Sequence, residues 1–121
     1  MTQAPGPRPL TEFEAQLLKK LLSVSFPGRE ELQQQALTAK VTTVLANGSP
    51  AWLFSIDEST PLAIVRHRIP VEAKSSAVAG KTVHCLLHVV DGKLSEVEFF
   101  REDGSPIRKL PRVLDFEVVA A

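Results

Sequence analysis

The chain has 121 residues, and its fourteen lysines and arginines balance fourteen aspartates and glutamates, which excludes affinity for nucleic acid or acidic membranes resting on net charge while leaving a local patch open. The length fits one domain able to bury roughly two thirds of its unfolded surface, and the single cysteine, Cys85, permits no internal disulfide. No apolar run approaches the ~18 residues of a membrane span and the N-terminus lacks a signal-like hydrophobic segment, so a cytoplasmic protein is expected.

Residues 1–9, with Ala4-Pro5-Gly6-Pro7-Arg8-Pro9, cannot propagate a helix and are expected to be an extended lead-in, a frayed terminus rather than a polyproline ligand. One α+β domain over residues 10–121 follows. Thr11 with Glu14 three positions later forms a capping box, and Leu10 is placed to act as a hydrophobic staple. Phe13, Leu17, Leu18, Leu21 and Leu22 then recur at helical spacing, with Lys19 and Lys20 suited to the negative end of the helix dipole. Phe26-Pro27-Gly28 breaks this helix. A second, more polar one is expected over residues 29–39, turning Leu32, Ala36 and Leu37 inward and leaving Gln33, Gln34 and Gln35 as a solvated face.

From Lys40 the period becomes that of strands. Residues 41–46 and 51–56 flank the turn-forming Asn47-Gly48-Ser49-Pro50, with Trp52, Phe54 and Ile56 on one face. Residues 57–61 form a polar turn, 62–69 a candidate strand with Arg66 and Arg68 on one side and a half-buried His67 on the other, and Pro70 its end or a sheet edge. Residues 74–80 are small and suit a loop. The segments 83–90 and 94–100 flank Asp91-Gly92, a strong hairpin signal. A two-residue loop would put Leu87 opposite Glu96 and Cys85 opposite Glu98, burying carboxylates. A three-residue loop with Gly92 left-handed instead pairs Val89 with Lys93, Leu87 with Ser95, Cys85 with Val97 and Val83 with Phe99, so the odd-numbered face becomes core. On the other face His88 then meets Leu94, Leu86 meets Glu96 and His84 meets Glu98. Residues 112–119 alternate, with Leu114, Phe116 and Val118 on one side. Two N-terminal helices packed on a curved antiparallel sheet of about six strands are the expected fold.

The stretches RPLTEFEAQLLKKLL, FPGREELQQQ, IPVEA and LLHVVDGKLSEVEFFREDGSPI resemble short bacterial proteins, common in actinobacteria, with a hairpin of the form LLHVxDGxLxELEIxRxDGxPI. The resemblance covers most of the chain. That family has no established activity, so it implies no catalytic residues; similar small α+β proteins are in some cases immunity proteins paired with secreted toxins, an analogy of fold and gene context alone.

Motifs for nucleotides, cofactors and the familiar hydrolases (GxGxxG, P-loop, CxxC, HExxH, GxSxG) are absent, and neither a catalytic set, a cofactor nor a metal is expected. Cys85 is expected to be a buried small hydrophobe. His84 and His88 stand roughly 13 Å apart along one strand, too far for a shared ion. A His84–Glu98 pair reads first as a structural ion pair, with a carboxylate-oriented general base as the alternative. Arg101, Arg108, Lys109 and Arg112 form the densest basic cluster, read as a solvated loop because no exposed aromatics interleave with it. The face holding His84, Leu86, His88, Leu94, Glu96, Glu98 and Phe100 mixes an apolar centre with charge, as recognition surfaces do. The expected function is therefore non-enzymatic binding of a protein partner, or of a second copy, through this face. A small-molecule or hydrolytic site using the His–Glu pair is the second reading, favoured if helices roof the face into a pocket.

Overall fold

A computed structural model describes residues 7–46, 48–76 and 81–121. Residues 1–6 of the expected lead-in, Asn47 of the first turn and residues 77–80 of the expected loop lie outside them, while Arg8 and Pro9 of that lead-in pair at the sheet edge instead of fraying. Among the described residues there are two α-helices and a seven-stranded open antiparallel sheet. The strands are β1 (Arg8–Pro9), β2 (Lys40–Leu45), β3 (Ala51–Ser55), β4 (Val71–Ser75), β5 (Val83–Val90), β6 (Lys93–Arg101) and β7 (Glu117–Ala120). Their order in the sheet is β1-β2-β3-β6-β5-β4-β7.

The capping box forms as the sequence dictates. The Thr11 side chain accepts from the Glu14 amide at 3.2 Å, and the Glu14 carboxylate accepts from the Thr11 amide at 2.9 Å, opening α1 (Glu12–Leu21). Both strands of this motif satisfy amides that a helix start leaves orphaned. Leu17, Leu18, Leu21 and Leu22 are buried in one cluster with Val71, Ala73, Val83, Cys85, Leu87, Val89 and Phe99, so α1 lies on the odd-numbered face of β5. Trp52 stands edge-on to Phe13 and Phe99, at centroid distances of 6.0 and 5.2 Å, a geometry in which ring edges meet ring faces.

The second helix, α2 (Arg29–Ala36), ends earlier than expected, and Leu37, its C-cap, is 78 % exposed. Gln35 departs furthest from the expected solvated face: it is fully buried. Its Nε2 donates to the carbonyls of Pro61 and Gly92, both at 2.8 Å, and its Oε1 accepts from the Leu94 amide at 2.9 Å. Leu32, Gln35 and Ala36 share a helical stripe, so the amide faces the sheet and fastens α2 to the turn between β5 and β6.

That turn corrects the expected register. Val90 pairs with Lys93 across Asp91 (φ 53°) and Gly92 (φ 77°), two left-handed residues that make the twisted two-residue turn hairpins favour. Val89 pairs with Leu94, and a bulge at Ser95 then sets His88 opposite Glu96, Leu87 opposite Val97, Leu86 opposite Glu98, Cys85 opposite Phe99, His84 opposite Phe100 and Val83 opposite Arg101. The odd-numbered face of β5 is core as expected, but the means differ. A bulge two pairs past the turn, rather than a longer loop, turns the carboxylates outward. It also turns Leu94 into the core, where it is 1 % exposed, so Leu94 is not part of the outer face.

Residues 62–69 are not a strand. They wrap the end of the hairpin instead, with the Ala63 amide donating to Gly92 at 2.9 Å and the Val89 amide donating to Arg68 at 2.8 Å. Ala63 is buried, Ile64 is exposed, and His67 is exposed rather than half-buried. The strand lies just beyond Pro70, where Val71, Ala73 and Ser75 point inward from β4. The expected strand over 112–119 is shortened by a 3-10 turn at Val113–Asp115. Arg112 grips Asp115 through Nε–Oδ2 at 3.0 Å and Nη2–Oδ1 at 3.2 Å, which curls the chain so that Leu114 is exposed while Phe116 stays in the core.

Candidate functional site

Both helices pack on the odd-numbered side of β5, so neither roofs the even-numbered side. Cross-strand pairing builds that face in rows. One row runs Thr43, Leu53, Glu96, His88; the next runs Leu45, Ala51, Glu98, Leu86, Glu72, Val119; a third holds Phe100, His84, Lys74 and Glu117. Leu53, Leu86 and Phe100 are half-buried there, and Leu45 and Val119 are 40 % and 55 % exposed. Of the expected surface residues, His84, Leu86, His88, Glu96, Glu98 and Phe100 share this face.

The expected His84–Glu98 pair does not form. His84 stands across from Phe100 and stacks on it, with centroids 4.9 Å apart and planes 12° from parallel. Its Nε2 meets Glu102 Oε1 at 2.8 Å, beyond the end of the strand. Glu98 instead reaches diagonally to His88, Oε1 to Nε2 at 2.8 Å. The other His88 nitrogen, Nδ1, accepts from Arg68 Nε at 3.1 Å. Because a guanidinium can only donate, Nδ1 carries a lone pair, and Nε2 holds the proton given to Glu98. A diagonal reach of one row is ordinary for a long side chain on an antiparallel sheet.

Glu96, directly across from His88, has no hydrogen-bond or salt-bridge partner among the described residues. One ligand atom from each of His88, Glu96 and Glu98 lies within 4.8 Å of the other two, and all three side chains are half-buried. His84 is not part of this group. The convergence of one histidine with two glutamates depends on the bulge, which sequence spacing alone does not display.

Elsewhere, Cys85 is fully buried and burial pushes its thiol far up, which leaves an inert small hydrophobe. The basic cluster disperses: Arg112 is held by Asp115, Arg101 Nη1 donates to Ser105 Oγ at 3.4 Å, and Arg108 and Lys109 are exposed. Two grooves lie on the helix side, one lined by Phe13, Lys20 and residues 110–114, the other by Leu10, Leu18, Leu22 and Leu37. Neither involves the histidines of the sheet. No helix among the described residues is long and apolar enough to cross a membrane.

An open antiparallel sheet with both helices on one face and a mixed acidic, imidazole and apolar surface on the other defines an α+β domain with a sheet face that no described helix covers. The chain belongs to the DUF6984 family, a domain of unknown function, which matches residues 7–111. That span contains both helices, β1 to β6 and every residue of the His88 group. No curated protein and no solved structure matches the chain significantly.

Proposed function

We propose that the chain is a non-enzymatic recognition domain that binds a protein partner through the even-numbered face of its sheet. The observation that carries this reading is the composition of that face, where half-buried Leu53, Leu86 and Phe100 adjoin the exposed Leu45 and Val119. Around them the four glutamates Glu72, Glu96, Glu98 and Glu117 outnumber the two cations Lys74 and Arg68, and Lys93 at the turn end is occupied by Glu58 at 3.0 Å. Such a face suits a partner with an apolar patch rimmed by lysine and arginine, since complementary charge steers encounter and fixes register. A second copy of the chain would set one acidic surface against another, so a heterologous partner fits better. The hydrolytic reading has its His–Glu pair in His88 and Glu98, but the helices that would close a pocket over it lie on the opposite side of the sheet.

The test is a photo-crosslinking residue placed at Leu86 in the native host, with the same residue at exposed Gln34 on α2 as control. Adducts from position 86 to a basic protein are expected, lost in a Glu72→Lys/Glu117→Lys double variant that keeps its melting temperature. Adducts only to the chain itself, equal adducts from position 34, or none from position 86 would each overturn the reading.

A further inference from the structure

We propose that His88, Glu96 and Glu98 bind one divalent first-row transition-metal cation, with imidazole Nε2 and one oxygen from each carboxylate as ligands. This site is independent of whether the face also binds a protein. Three features carry it: position, donor set and an unmatched charge.

The three residues sit on β5 and β6, which are interior strands of the sheet joined along the whole of their length. Sites on such strands hold their geometry better than sites on loops. The bulge at Ser95 sets Glu96 across from His88 and leaves Glu98 two positions further on the same side. The ligand atoms lie within 4.8 Å of one another, and the Nε2–Oε1 edge to Glu98 is already 2.8 Å. Donors about 2.1 Å from a zinc ion stand about 3.4 Å apart in tetrahedral geometry. Rotation of the glutamate side chains supplies the remaining closure without moving the strands. One imidazole with two carboxylates suits zinc, manganese or cobalt, whereas magnesium and calcium prefer oxygen donors alone. Without a cation, two carboxylates share a single imidazole, and that ring's proton goes to Glu98, leaving Glu96 with no partner among the described residues.

Arg68 opposes the cation. Its Nε donates to Nδ1 at 3.1 Å and so keeps the proton on Nε2, the atom that must offer a lone pair to a metal. On binding, the ring proton transfers through solvent from Nε2 to Nδ1, no net proton being lost, and the exposed Arg68 side chain gives up its contact. A glutamine at position 68 could accept from the Nδ1–H through its carbonyl oxygen, the arrangement that commonly orients metal-bound histidines. Three protein ligands leave at least one coordination position for water or a donor from a bound molecule.

Calorimetric titration of the chelator-treated full chain with Zn2+ is expected to give one equivalent bound and a raised melting temperature. Glu96→Gln should weaken binding by about tenfold or more, while the metal-free melting temperature stays put because Glu96 has no protein partner to lose. Arg68→Gln should tighten binding severalfold. A cobalt-substituted sample should shift and broaden the His88 ring resonances far more than those of His84, a readout independent of any variant's folding. Absence of zinc binding, binding indifferent to Glu96→Gln, a His84-centred shift, or an Arg68→Gln variant that binds more weakly would overturn the assignment.

Discussion

Gln35 is a polar side chain with no exposed surface, and each of its bonds lands on backbone that has few substitutes. Replacing it by leucine keeps the volume but strands the Leu94 amide and the Pro61 carbonyl, whereas Gly92 keeps its bond from Ala63. A buried orphaned group costs about 1–3 kcal/mol, so Gln35→Leu should lower the urea-derived stability by about 2–4 kcal/mol, while Gln34→Ala on the exposed side should stay within about 0.5 kcal/mol. Equal effects of the two would mean that the amide carries no weight. The signal was present in the sequence, since positions 32, 35 and 36 follow the i, i+3, i+4 stripe; polarity alone hid it, because a buried glutamine is betrayed only by the backbone that surrounds it. At Cys85, burial of the thiol predicts labelling by a thiol reagent only as fast as the core opens. Labelling at the rate of a free thiol under native conditions would contradict the burial of β5.

At the scale of elements, the β5–β6 hairpin separates what pattern can tell from what it cannot. Alternation along β5 and the Asp91-Gly92 pair identify the hairpin and its core face, because only one phase keeps charge out of the interior. Two backbone solutions achieve that phase, a longer loop or a bulge after a short one, and the choice rests on contacts to the turn from elsewhere. Gln35 accepts the Leu94 amide, and Ala63 comes so near Gly92 that an added Cβ would lie 2.9 Å from its carbonyl oxygen. Gly92→Ala should therefore cost about 1–3 kcal/mol through both the left-handed backbone and the clash. Deletion of Ser95 is the sharper experiment. It removes the extra residue and leaves His88 opposite Glu96, Leu87 opposite Val97 and Cys85 opposite Phe99 in an uninterrupted ladder, so Val97 and Phe99 should stay inward. The variant should keep native dispersion in NMR with Val97 and Phe99 protected; aggregation or loss of the native near-ultraviolet spectrum would show that the extra residue does more than keep the two strands in phase. The segment 62–69 departs from the strand its pattern predicts for the same reason: its β-branched residues wrap the turn rather than pair in the ladder, while the alternation of β4 is short and lies next to Pro70.

For the molecule as a whole, the segregation of helices before strands was legible from the change of period, and the seven-strand count was not, because β1 is two residues long and is held by a side chain rather than by its own pattern. Arg8 pairs with Val41 at the sheet edge, and its guanidinium makes a two-pronged bond to Glu14 on α1, Nη1–Oε1 and Nη2–Oε2 both at 2.8 Å. Glu14 is 5 % exposed. Burial pushes its carboxyl upward, but the Arg8 bonds and the Thr11 amide together outweigh burial and hold it below the ordinary 4.5. A carboxyl whose folded value is depressed favours the folded state fully above its unfolded value, and that contribution is lost as pH falls through the lower folded value. Glu14→Gln retains an acceptor for Thr11 and removes the charge, so it should cost about 1–3 kcal/mol near neutrality. The gap between wild type and variant should then shrink steadily on the acid side of 4.5. Asp103, held at about 2 by hydrogen bonds from the Ser105 hydroxyl and amide, is present in both proteins and titrates further into acid, so the difference isolates Glu14. Denaturation curves taken at successive pH values measure it. A gap that stays constant from neutrality into acid would place the Arg8–Glu14 bond outside the linkage between sheet edge and helix, since a carboxylate that loses nothing on protonation is not holding the two together.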